Sequence, residues 1–275
     1  MTTDTIVQLS WYQRLTVRSL LTKSLSDRRV MTLLVGVGLG VMAFLVTAMF
    51  PSLEESLADF DLGEGFDAFL GGAGISTPEG WLSAEIWSIM APVAVVVLAI
   101  VDAGRSVAAE EEERSIGLLG SNPMSRSHIL TQKSIAVGAH VLVASAVLGV
   151  MSWASIIVVD LDMDASRALA AAAHLAMLGV MFGAIAVLVS AAVGKRMRAV
   201  LIVSGVAGVS YIVATMLPIS EDFASWAKIS PWYYYAGDVP LVNGVNWAYL
   251  GVMAAVAAIA FGLALAVFRK RDLPA

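Results

Sequence analysis

Six stretches of the chain stay apolar for about twenty residues or more, at residues 30–50, 85–108, 134–159, 168–193, 199–217 and 245–268. A helix rises about 1.5 Å per residue, so each is long enough to cross a hydrocarbon core of roughly 30 Å. The pattern predicts an all-α polytopic membrane protein, with six transmembrane helices in a single transmembrane domain over residues 1–275. Residues 1–29 read differently. Trp11, Leu15, Leu20, Leu21 and Leu25 alternate there with Arg14, Arg18, Lys23, Arg28 and Arg29, and no cleavable signal is evident. That mixture predicts an amphipathic N-terminal helix in the headgroup region, turning into the bilayer at residue 30.

The polar breaks carry more information than the spans. Residues 51–84 contain seven carboxylates and no Lys or Arg, and part of 53–70 is expected to form a surface helix. Asp160, Asp162 and Asp164 make a tight acidic turn, and residues 218–244 contain Pro218, Pro231, Pro240 and the run Trp232-Tyr233-Tyr234-Tyr235. Such aromatics favour a membrane–water interface. The break between spans two and three is the most unusual. Four consecutive carboxylates, Glu110, Glu111, Glu112 and Glu113, are followed by Arg114, Ile116, Leu118, Leu119, Pro123 and Arg126. A charged residue at mid-membrane costs about 2.5–3.5 kcal/mol on insertion scales, so this run lies in water. Ile116 and Leu119, three apart, give a short helical turn an apolar edge, and the preceding acids suit its amino end. Asn122-Pro123 reads as a cap and first turn opening the next helix. The stretch is either a docking element for another protein or a solvated hairpin.

Composition and charge sharpen this picture. The chain is 59% hydrophobic and 14% charged, with mean hydropathy +0.81, outside the range of ordinary soluble domains. Of its 17 Lys and Arg residues, only Arg167 and Lys228 fall on one side of the predicted spans. By the positive-inside rule, the remaining fifteen place both termini and the 110–133 loop in the cytoplasm, at the cell membrane. There is no cysteine, no G-x-x-x-x-G-K-[ST] stretch and no H-E-x-x-H, and the three histidines are scattered. Catalysis, nucleotide binding and a metal centre on this chain all lack support.

Ionisable groups inside spans need partners. Asp102 and Arg105, three apart at the end of span two, are expected to pair within one helix, as a candidate latch beside the loop or as a surface pair. His140 and His174 line a polar path or donate an interhelical hydrogen bond. The pairs Gly36/Gly40, Gly179/Gly183 and Ser204/Gly208 read as packing seams. Met42, Met49, Met90 and Met216, with Tyr211, are candidates for an adaptable translocation path, although methionines in a core read the same way.

With these motifs in hand, the chain resembles the permease subunits of type-2 ABC exporters. The likeness lies in the acidic run 110–113, the short apolar helix at 116–119, Pro123-Met124-Ser125-Arg126 and Lys133. Ser230-Pro231-Trp232-Tyr233 ahead of the last span and the ending Phe268-Arg269-Lys270-Arg271-Asp272-Leu273 are also similar. Arg114 and Gly120 depart from that pattern, where a glycine and a leucine are usual. The resemblance implies a non-catalytic subunit that binds no cofactor itself, working with two cytoplasmic ATPase subunits that hold ATP and Mg. It implies that the coupling helix seats in a groove on the ATPase, and that a second permease chain, identical or homologous, completes the pore. Spans one, two and five would then face the path, with residues 218–244 as an outer lid, for a hydrophobic or amphipathic cargo. The bilayer is the other partner, and nucleic acid is not expected. Two other readings compete. A secondary transporter predicts repeats between the two halves, which are not evident. A membrane anchor would only recruit a cytoplasmic partner.

Overall fold

A computed structural model describes residues 20–58, 74–105, 125–219 and 222–270. Among these residues the fold is helical, with no strand, and six helices are long and apolar enough to cross a membrane. Helix α1 is Leu20–Ala58. Helix α2, Pro78–Leu82, passes through one π-helical turn, Ser83–Trp87, into α3, Met90–Gly104. Then come α4, Arg126–Val159; α5, Ser166–Val193; and α6, Arg196–Met216. Two 3₁₀ turns, Leu217–Ile219 and Ala224–Ile229, lead to α7, Pro231–Ala236, and α8, Pro240–Asn243, before α9, Trp247–Lys270.

Several boundaries differ from expectation for local reasons. Residues 20–29 do not form a separate interfacial helix; they continue unbroken into span one, because nothing between Leu20 and Phe50 breaks a helix. Nor does Pro51 end it, and residues 53–58 are its last turns. Proline there removes only one N–H, and the nearby Ser52 hydroxyl donates to the Met49 carbonyl at 2.7 Å. Span two begins at Pro78, earlier than residue 85, because the Thr77 hydroxyl caps the helix by accepting from Gly80 N–H at 3.1 Å. Span three is capped by Ser125, not by Asn122. Ser125 is extended, and its hydroxyl accepts from His128 N–H at 3.3 Å.

The turns close cheaply. Asp160 ends α4 in the left-handed region (φ 60°), which Asp tolerates, and Gly194 ends α5 the same way (φ 63°). Hydrogen bonds from the Ser166 side chain and from its N–H, the latter at 2.9 Å, hold the Asp164 carboxyl below the usual range.

Helix α5 is the hub, packed against α3, α4, α6, α8 and α9, while α1 lies along α4. It is apolar on every face, as a helix with neighbours on most sides must be. Lipid offers helices no hydrophobic drive to associate, so close approach through small residues matters more. A Cβ on Gly179 would sit 2.6 Å from a Val141 methyl and 2.7 Å from a Val95 methyl. One on Gly36 would lie 3.0 Å from the Ala144 carbonyl, and one on Gly40 would strike Met151. Those two glycine pairs are seams. The third is not: a Cβ on Gly208 meets nothing within 4 Å, because that face of α6 is open. Only Ala199, Val203 and Ala207 of α6 are buried.

Candidate functional site

The segment 106–124 connects α3 to α4. Glu110, Glu111, Glu112, Glu113, Arg114, Ile116, Leu118, Leu119 and Pro123 lie outside the described residues, and Arg126 is the first residue of α4. What the structure describes is the pair of roots from which this segment springs.

At the first root, Asp102 on α3 is 2% exposed. It does not pair with Arg105 on its own helix. Its carboxylate turns inward, to His140 Nδ1 on α4 at 2.6 Å and Arg28 Nε on α1 at 3.7 Å. The reason is depth: Arg105 is exposed, so water serves it, whereas a buried carboxylate needs its charge met inside the bundle. The other ring nitrogen of His140 faces the Leu25 carbonyl at 3.3 Å. Both partners of the ring are therefore acceptors. A neutral imidazole satisfies one of them, and an imidazolium satisfies both. Three helices thus meet in one buried cluster.

At the second root, the opening turns of α4 are tied to the start of α1 and the end of α9. Leu21 N–H donates to Gln132 Oε1 at 3.2 Å, and Arg269 Nε donates to Ser127 Oγ at 2.7 Å. These bonds bring the start of α1 and the end of α9 to the same end of the bundle as the 106–124 segment, which we call the root end. Gln132 and Ser127 were not singled out in the sequence, and Arg28 and Arg269 were named only among the basic residues of the first helix and the ending. The available signal was complementarity, since Asp102 and His140 are ionisable groups at matching depth in adjacent spans.

At the far end, residues 222–246 fold back into the bundle. The Trp232 indole N–H donates to the Ala207 carbonyl at 3.0 Å, and the Ser230 hydroxyl donates to the Ser210 carbonyl at 2.6 Å. Ala207 lies about 14 Å along α6 from its far end at Met216, at the helical rise. Tyr235 OH donates to the Trp87 carbonyl at 2.6 Å, again below the helix ends. Trp232 and Tyr235 are therefore buried, 5% and 4% exposed, and not placed at an interface. Their polar tips find helix carbonyls, which makes burial affordable.

The structure does not enclose the candidate path residues within this chain. Met42, Met49, Met90 and Met216 are 38–52% exposed on the outside of the bundle. Tyr211 is half-buried, its ring edge-on to Trp232 at 5.0 Å. A shallow groove of about 400 Å³ runs beside it, lined by Gly205, Val206, Val209, Ser210, Val213, Ile229 and Ser230. His174 is fully buried and makes no interhelical bond through Nδ1, which lies 3.1 Å from the Ala170 carbonyl of its own helix.

No curated protein matches the chain. A family profile does, and it is described as ABC-2 family transporter protein. The match runs from residue 20 to residue 273, nearly the whole chain, and the chain belongs to this family.

Proposed function

We propose that the chain is the permease subunit of an ATP-driven exporter and couples to separate cytoplasmic ATPase subunits through the 106–124 segment, the part of the expected 110–133 loop that precedes α4. Family membership and six spans support a transport role, and the sequence supplies no phosphate-binding loop of its own. ATP and Mg are then held by the partner, and a second permease chain, identical or homologous, closes the path. Lys and Arg crowd the root end, which makes that end cytoplasmic.

The observation that carries the reading is how the loop is rooted. The helix entering it is fixed to α1 and α4 through Asp102, and the helix leaving it is fixed to α1 and α9 through Gln132 and Ser127. A displacement applied to the loop would therefore move several spans together, as rigid-body switching requires. Glu110, Glu111, Glu112 and Glu113 would pair with basic groups on the ATPase, while Ile116, Leu118 and Leu119 fill its groove. The exposed methionines of α1, α3 and α6 suit a path completed between two chains and a hydrophobic or amphipathic cargo.

Capture of the chain from its native membranes should bring down a P-loop ATPase, and Leu119→Asp should abolish the pairing while membrane insertion is unchanged. An undiminished pairing in that variant, or transport that persists without any ATPase, overturns the proposal.

A further inference from the structure

Helix α6 leaves one face that no described element covers. A Cβ on Gly205 or on Gly208 meets nothing within 4 Å, and Leu201, Ile202, Val206, Val209 and Ile212 are exposed. The groove of about 400 Å³ lies on this face. Gly205, Val206, Val209 and Val213 of α6 form its floor, and Ile229 and Ser230 of the 222–246 segment form a wall. The wall is pinned by the bond from the Ser230 hydroxyl to the Ser210 carbonyl at 2.6 Å, and the Ser210 hydroxyl donates to the Ala207 carbonyl at 2.9 Å. Both hydroxyls at the groove are thus engaged within the chain. What they leave to an occupant is hydrocarbon.

Its dimensions select that occupant. At the helical rise Gly205 to Val213 covers about 12 Å, so about 400 Å³ gives a mean cross-section of roughly 33 Å², about 6 Å across. A helix with its side chains is about 10–12 Å wide and does not seat in such a slot. A linear alkyl chain does, and the chains of one leaflet, reaching about half of a 30 Å core, are long enough to fill it. A cation stands at the mouth. Lys228 directly precedes Ile229, is exposed, and among the described residues pairs with no carboxylate. Phe223 and Trp226, each 57% exposed, put this turn at the level where apolar rings meet water.

We propose that this groove docks the linear alkyl chain of an anionic amphiphile, with Lys228 against its phosphate or carboxylate head. Chain and head then meet the two surfaces in the order in which a membrane amphiphile presents them, tail along α6 and charge at the interface. Exposed carboxylates stand at the same end: Asp222, six residues before Lys228, and Asp160, Asp162 and Asp164 on the turn between α4 and α5. Salt screens exposed charges beyond about 8–10 Å, so the amine adjoining the groove sets the local sign. The proposal concerns what this face binds and is independent of the ATPase coupling.

The test uses the full chain purified in digitonin, whose hydrophobe is a fused-ring steroid and leaves a slot for linear chains free. Dodecyl phosphate carrying a terminal diazirine is photolysed with the protein, and adducts are mapped by peptide mass spectrometry. They should concentrate within residues 205–213 and at Ile229, and unlabelled dodecyl phosphate should remove them saturably. Inorganic phosphate, which has no chain, should not compete, and dodecyltrimethylammonium should compete more weakly. Gly205→Leu fills the floor with a better helix former, which keeps the fold, and should abolish the saturable labelling. Lys228→Gln should weaken binding about two- to fivefold, the range of one exposed charge contact, and Lys228→Arg should retain it. Adducts spread evenly over the exposed faces of α1, α6 and α9, labelling or affinity unchanged in Gly205→Leu or Lys228→Gln, or equal competition by the ammonium overturns the proposal. So does an absence of adducts; if the chain then elutes as a dimer, a second copy covers the groove instead.

Discussion

Asp102 shows how a single buried charge chooses its partner. Three residues along its own helix, Arg105 offers a guanidinium at the right helical spacing, yet the carboxylate prefers His140 and Arg28 on neighbouring helices. Solvated Arg105 gains little by pairing, whereas Asp102 would leave a charge unmet in a medium that punishes it. The two arrangements predict different mutational costs. Asp102→Leu should destabilise the chain by about 3 kcal/mol, since it strands Arg28 and His140, and adding Arg28→Met should recover part of that loss. Arg105→Met should change stability by less than about 0.5 kcal/mol. Thermal or denaturant unfolding in micelles measures all three. A cost for Arg105→Met close to that of Asp102→Leu would restore the intrahelical pair.

At the scale of elements, the six spans were legible because hydrocarbon admits only long apolar helices, and that pattern survives without any tertiary knowledge. Two of the three glycine pairs were legible as seams for the same reason. The rest depended on neighbours. Trp232 and Tyr235 look interfacial in the sequence, and only the carbonyls of Ala207 and Trp87 explain their burial. Ser204/Gly208 has the spacing of a seam but faces no helix of this chain. The contrast is testable. Gly179→Val must push α5 from both α3 and α4 and should cost about 1–3 kcal/mol, the usual range for overpacking. Gly208→Val should leave unfolding of the isolated chain unchanged. If transport nonetheless falls in the second variant, a neighbour outside this chain covers that face of α6; a destabilised Gly208→Val chain would mean that α6 packs more closely than described.

For the whole molecule, the decisive property is sidedness, because an ATPase can reach the 106–124 segment only from the cytoplasm. The structure brings Leu21, Gln132, Ser127 and Arg269 to one end of the bundle, so the described chain starts and ends beside the loop. It does not need a membrane to do so. The proposed orientation rests on charge: Lys195, Arg196, Arg198, Arg269 and Lys270 stand at the root end, while the opposite turn carries Asp160, Asp162 and Asp164. Retaining Lys and Arg on the cytoplasmic side is the strongest orientation signal known from composition alone. The chain has no cysteine, so single cysteines report without background. In intact cells, Asp162→Cys should react with a membrane-impermeant maleimide, and Lys195→Cys should react only after permeabilisation. The reverse pattern would put the acidic run 110–113 outside the cell, beyond the reach of any nucleotide-hydrolysing partner.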